Sequence, residues 1–250
     1  MNISVLSVPD ETLYRLPETI SWQDEDTGCT IVLAQPDSGP GLWEDYLQGA
    51  ERSYRKHGVE CALDVDSFRD GSDTTLFYTA LDANDRVVGG LRAKGPYFAA
   101  EESHALVEWE GHPGQDLVRK MITDRLPFGV VEMKSAFVTD DPERAGSLTN
   151  TFARTAFPTM TLLGAQFIMA TAAAHVLDRW SSSGGVVASK VPAAPYPSDR
   201  YRTKLMFWDR RTFANNAEPR QLAKIVKEMR MLATLSEEFS GFGMQYGSGM

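Results

Sequence analysis

Cysteine is scarce: Cys29 and Cys61 are the only two in 250 residues. That excludes a disulfide framework, and no Cys/His cluster has the spacing of a zinc site. Positive charge is also short, with 25 Lys and Arg against 34 Asp and Glu and a formal net charge of −9. No surplus of cations exists to neutralise phosphates, which argues against nucleic acid; the same acidity argues against anionic membranes. The longest mostly apolar run, Phe157 to Leu177, is broken by Pro158, Gln166 and His175 and makes no membrane span. The first residues, MNISVLSVPDETLYRL, lack the charged start and apolar core of a signal peptide. There is no G-x-S-x-G nucleophile elbow and no phosphate-loop glycine spacing. DVDSFRDGSD lacks the twelve-residue calcium pattern and its closing glutamate. These absences leave an ordinary globular composition, expected to be cytoplasmic, with reduced thiols and neither a metal nor a tightly bound cofactor.

What is present is a mixture of strand and helix patterns. CTIVLAQ, TTLFYTALD, RVVGGLRA, SHALVEWE, GVVEMKSAFV, AQFIMATA, VVASKV and RYRTKLMFWD read as strands. LWEDYLQGAERSYRKHG carries Trp43, Tyr46, Leu47, Ala50 and Tyr54 at helical spacing and stops at Gly58. Further helices are predicted at GQDLVRKMITDRL, at LTNTFARTAFPTMTLLG with a kink at Pro158, at AAHVLDRWSSSGG and at PRQLAKIVKEMRMLATLSEEF. The elements do not alternate strictly, so the fold class is α+β, or mixed α/β. The expected organisation is an arm at 1–28, one domain at 29–210, and a C-terminal helix with a flexible tail at 211–250.

The stretch RVVGGLRAKGPY poses the sharpest question. Gly89 and Gly90 interrupt a strand, and adjacent glycines there mark a place where a ligand or another backbone comes close. Arg92 follows where an apolar residue would be cheaper. Together with GVVEMKSAFV, with AQFIMATA and its following helix, and with the final hairpin, this stretch resembles the GNAT acyltransferase superfamily. Within it, the nearest likeness is to the acyl-homoserine-lactone synthases and N-acyl amino acid synthases. The resemblance covers roughly residues 29–210. It implies a central, largely antiparallel sheet flanked by helices. It also implies transfer of an acyl group from an acyl-CoA or acyl-carrier-protein thioester to a small, amino-acid-like amine. A homodimer is compatible with it, and the oligomeric state is left open. The chain departs from the pattern in three places. DDPERAGSLTN replaces the arginine- and glycine-rich pyrophosphate loop; Lys134, Ser135 and Ala136 follow the central-strand glutamate without an arginine; and Arg179 and Trp180 stand near the place of a tyrosine. The missing pyrophosphate loop favours either an alternative, a catalytically inactive binding or assembly module, or a carrier-protein donor whose phosphopantetheine arm needs less from that loop.

Amide formation needs a base for one proton and donors for an oxyanion. Glu132, which interrupts the apolar central strand, is the first candidate base. Arg92 is its expected partner or a clamp for an acceptor carboxylate. Glu108 and Glu110 flank Trp109 and, on a strand, share one face, making Glu110 a further acid–base candidate. His175, in the helix predicted after AQFIMATA, is the remaining acid–base candidate. Phe137, Val138, Phe167, Met169, Trp109 and Tyr97 are the expected lining of the acyl and acceptor pockets, with Phe207 a further apolar candidate and Asp64, Asp66 and Asp73 candidates to shape the acceptor side.

Overall fold

The runs rich in Val, Ile, Leu and Phe pair into one eight-stranded sheet in the computed structural model, which describes Leu16 and residues 19–243, with side chains as far as residue 234. The strands are β1 (Ile20–Gln23), β2 (Thr30–Ala34), β3 (Leu76–Leu81), β4 (Val87–Lys94), β5 (Val130–Val138), β6 (Phe167–Ala173), β7 (Val186–Val187) and β8 (Thr203–Asp209). Their spatial order is β1-β2-β3-β4-β5-β6-β8-β7. Among the described residues, only β5 and β6 run parallel; the other neighbours are antiparallel.

Both faces are covered, so strand residues of both parities are apolar. On one face lies α1 (Pro40–His57), which buries Trp43, Tyr46, Leu47 and Ala50 against Ala34, Phe77 and Phe137. Pro40 opens it and Gly58, at φ 65°, closes it in the left-handed conformation that glycine tolerates. Beside it, α2 (Ala105–Glu108) and α3 (Gln115–Thr123) pack Trp109, Val118 and Ile122 on Val130 and Met169. The opposite face carries α4 (Pro142–Arg154), α5 (Ala156–Leu162) and α7 (Pro219–Gly243), whose Phe152, Met160 and Ile225 pack in one core with Leu91, Val131, Met133 and Ile168. A short α6 (Leu177–Ser181) follows β6.

Several expectations need correction. SHALVEWE is not a strand: Ala105, Glu108 and Trp109 fall at the i, i+3, i+4 spacing of a helical turn, and that turn is α2. The helix after the central strand begins at Pro142, where the Asp141 carboxylate accepts from the Glu143 amide at 3.0 Å. It breaks at Thr155 rather than at Pro158, because Pro158 occupies the first turn of α5, where its missing N–H has no partner to lose. VVASKV contributes only Val186 and Val187 to the sheet. The boundary drawn after residue 28 cuts a hairpin, since β1 pairs with β2. The last helix is no appendage either, because Ile225 and Leu232 lie in the main core. The remainder of the arm, 1–15 with 17 and 18, and the tail at 244–250 lie outside the described residues. Among the described residues, no helix is long and apolar enough to cross a membrane.

One polar knot ties these layers. Arg154, 1% exposed, donates to Asp24 in the β1–β2 turn, to Glu228 at 2.8 Å and to Gln221 at 2.9 Å on α7. A buried guanidinium requires such complete pairing.

Candidate active site

The sheet opens at its centre. β5 and β6 pair only from Val130–Phe167 to Met133–Ala170. Beyond that, β5 stays with β4, where Phe137 faces Gly90 and Val138 faces Gly89, while Thr171 and Ala173 of β6 stay with β8. The strands therefore splay into a V, and a cavity of ≈400 Å3 fills it. Its wall toward α4 and α6 is apolar, with Met133, Phe152 and Trp180. Its wall toward α1 and α2 is polar, with Tyr54, Glu108, Lys134 and Tyr196. At the bend of the V, β5 bulges. Its register against β4 shifts between Gly90 and Arg92, leaving Ser135 and Ala136 without cross-strand partners. Ser135 sits at φ 51°, which a side-chain-bearing residue seldom adopts.

Two buried carboxylates share one lysine behind the polar wall. Lys134 Nζ lies 3.7 Å from Glu132 and 3.8 Å from Glu108. Glu132 Oε2 accepts from the Tyr97 hydroxyl at 2.6 Å and from the His104 amide at 3.0 Å. Burial alone would raise the Glu132 carboxyl, but Lys134 and these two donors outweigh it and hold the group below its ordinary range. Glu108 is held less well. Among the described residues, only the Thr171 hydroxyl donates to its Oε1, at 2.8 Å, and its buried Oε2 has no hydrogen-bond partner. Burial, with the nearby Glu132 charge, pushes Glu108 up to about 7 despite Lys134. His104 Nε2 lies 3.0 Å from the Tyr196 hydroxyl and 4.0 Å from Glu108. Burial, helped by Lys134, brings His104 down to about 4, so it is neutral at pH 7 and makes no ion pair with Glu108. Burial also raises Tyr196, to about 12, so its hydroxyl keeps its proton.

The expected residues divide accordingly. Glu132 is fully buried behind Lys134 and does not line the cavity. Arg92 is not its partner. It donates to Asp73 at 2.7 Å and to Thr74 at 3.0 Å, and its guanidinium lies 3.8 Å over the Phe68 ring. Glu110 is exposed, because α2 turns it away from the buried face that takes Glu108. His175 is exposed and stands in the cavity wall, as do the buried Phe137 and the half-buried Val138. Phe167, Met169 and Trp109 pack into the core beneath α2 and α3 instead, and Trp109 donates to the Pro192 carbonyl at 3.0 Å. Tyr97 serves Glu132 rather than a pocket. Phe207 packs in that same α2–α3 core. Gly89 and Gly90 make room for protein, not ligand. A Cβ would stand 2.9 Å from the Phe152 ring at Gly89 and 2.6 Å from the Tyr46 ring at Gly90. His104 and Tyr196 carried no sequence signal, being 92 residues apart and joined only by the fold. Glu108 did carry one, the helical spacing that places it on the side of Ala105 and Trp109. Among the described residues, no group of three or more His, Cys, Asp or Glu is placed to hold a metal.

Comparison with known proteins fixes the family. The Mycobacterium tuberculosis protein Rv1356c, itself uncharacterized, is 55% identical over 215 residues, which is 86% of this chain and 82% of the relative. The chain belongs to this mycobacterial family. A Mycobacterium bovis protein, Mb1391c, matches to the same extent. No protein-family model matches the chain. Among solved structures, FeeM, an N-acyl amino acid synthase from uncultured soil microbes, aligns with a TM-score of 0.50 at 11% identity, over 73% of this chain and 92% of that one. The fold is that of the GNAT acyltransferases: a mostly antiparallel sheet, splayed at its one parallel pair and covered by helices.

Proposed function

We propose that the protein is an N-acyltransferase that moves an acyl group from an acyl-CoA or acyl-carrier-protein thioester to a small amine. The observation that carries this reading is the cavity through the splayed sheet, with Glu108 on its wall and one Glu108 oxygen buried without a partner among the described residues. An extended acyl-pantetheine adds to a splayed strand as another strand would, using the backbone of β5 where the bulge takes Ala136 out of register with β4. The amine nitrogen attacks the thioester carbonyl, and the oxyanion is met by the backbone N–H of the bulge. Glu108, with a pKa near 7, takes one proton from the nitrogen. As the C–S bond breaks, that proton passes to the departing thiolate, so amide and thiol are formed in balance. Tyr196, still protonated, lines the same wall, and in this reading its hydroxyl donates to the leaving sulfur. Lys134 and neutral His104 set the charge around Glu108.

The N-terminus of α4 gives weight to a second reading. Its first amides are occupied by Asp141, which leaves little there for a diphosphate. That observation favours a donor that needs no diphosphate anchor, or a module that binds acyl groups without turnover. The test is thermal unfolding with acetyl-, octanoyl- and palmitoyl-CoA and the matching acyl-carrier proteins, followed by mass spectrometry for amide product with a panel of amines. A donor-dependent rise in Tm with amide formed is expected. A rise without product, over the whole amine panel, selects the binding module; no rise with any donor defeats both readings.

A further inference from the structure

Residue 90 is glycine, and a Cβ there would press into the Tyr46 ring at 2.6 Å. The ring crosses β4 at that gap, and its hydroxyl donates to the Ser135 carbonyl at 3.0 Å. Ser135 is the residue at φ 51°, and with Ala136 it forms the stretch of β5, between the pairs Arg92–Lys134 and Gly90–Phe137, that has no partner on β4. A side-chain-bearing residue stays in that conformation only where its surroundings insist on it. Two neighbours insist. Tyr46 holds the carbonyl, and Arg92 Nε reaches the Ser135 hydroxyl at 3.4 Å, a long contact that adds to the first. In a trans peptide the C=O of one residue and the N–H of the next point opposite ways. A Ser135 carbonyl turned to Tyr46 on α1 therefore turns the Ala136 N–H away from α1, toward the cavity that both residues line.

We infer that Tyr46 is a positioning residue that clamps the Ser135 peptide so that the Ala136 N–H faces the reacting carbonyl in the cleft. The inference rests on the acyl-transfer reading for its chemistry, though the clamp itself is a matter of geometry. Burial keeps the Tyr46 hydroxyl well above its ordinary pKa, so it remains a donor at every working pH. Tyr46 touches no reacting atom in this scheme. It stacks on Trp43 at 5.1 Å between ring centroids, and that contact survives loss of the hydroxyl.

Tyr46→Phe removes the hydroxyl and keeps the ring. With octanoyl-CoA and an accepted amine, kcat is expected to fall about 10- to 100-fold while the KM for octanoyl-CoA stays within about twofold, the pattern of an interaction made in the transition state alone. A second readout needs no turnover: amide NMR of Ser135 and Ala136, whose three-bond coupling and hydrogen exchange report the peptide's orientation. Both should change in Tyr46→Phe, and in the wild type the Ala136 amide should move when octanoyl-CoA is added. A fall in kcat with altered Ser135 and Ala136 signals sustains the inference. Unchanged kcat and unchanged signals overturn it. If the wild type forms no amide with any donor, the functional reading fails, and the clamp is then judged on the NMR of the variant alone. If Tyr46→Phe does not fold, the wild-type titration decides: an Ala136 amide that stays still while other cavity amides move overturns the inference.

Discussion

Replacing Glu108 by Gln separates what this carboxylate costs the fold from what it gives the chemistry. Glu108 is 5% exposed, and its pKa is raised from the ordinary 4.5 to about 7. The folded-state value lies above the unfolded one, so between those two pH values the native protein keeps a proton that the unfolded chain has released. Stability therefore falls as pH rises through that window and stays reduced above it. A rise from 4.5 to about 7 corresponds to about 3 kcal/mol at alkaline pH. Gln removes that penalty and retains an oxygen for the Thr171 hydroxyl, but it leaves Lys134 with Glu132 as its one buried counter-charge. We expect a net gain of about 1 to 2 kcal/mol at pH 8.5, or roughly 2 to 8 °C in Tm for a chain of this size, and almost none at pH 4. Turnover should fall by about 10²- to 10⁴-fold, the usual worth of a positioned base. The assay is thermal unfolding from pH 4 to 9, run beside amide formation. A variant equally destabilised at every pH would make Glu108 a structural partner of Lys134, and one with normal turnover would remove it from the mechanism.

Three further perturbations follow from the same geometry. The Glu132 charge raises Glu108, so Glu132→Gln should move the acid limb of the pH–rate profile to lower pH; an unshifted limb would show that the two carboxylates do not communicate. Gly90→Ala drives a methyl against the Tyr46 ring and the Tyr78 carbonyl, at 2.6 and 2.9 Å, and should lower stability by about 1 to 3 kcal/mol in denaturant titration; a gain would mean that the strand has room there. Arg92→Lys keeps a charge for Asp73 but loses the flat stack on Phe68 and the reach of Nε to Ser135. It should lower Tm and turnover together without changing acceptor affinity, whereas weaker acceptor binding alone would return Arg92 to the role of a carboxylate clamp.

The parts of the fold that could be read from the chain are those in which local chemistry and tertiary packing agree. CTIVLAQ, TTLFYTALD and AQFIMATA are apolar at both parities because helices cover both faces, and each became a strand. VEWEG failed because a two-residue alternation and a single helical turn look alike over so short a length. That one misreading put Glu110 forward in place of Glu108. Glu132 was conspicuous as a charge in an apolar strand, but its complete burial marks it as the supported carboxylate, while Glu108 is the one on the cavity wall. Arg92 pairs with Asp73, from the loop ahead of β3, rather than with Glu132, and no residue type announces a contact that the loop's path decides. His104 and Tyr196 meet only because the loop before β8 returns across α2.

The Arg154 knot bears on how the molecule comes apart. Its partners sit near opposite ends of the described chain, Asp24 ahead of β2 and Gln221 and Glu228 on α7, so α4 is held like a parcel by string tied from both ends. Cutting either end strands a guanidinium in the interior, at about 3 to 5 kcal/mol for one lost partner. Fraying of the terminal helix is then coupled to release of the first hairpin, and amides around Gln221 and Glu228 should exchange with the slow protons of α4 rather than with those of a loose terminus. A protein shortened before Pro219 is expected to lose the cavity wall at Phe152 along with its last helix, although no residue of that helix lines the cavity.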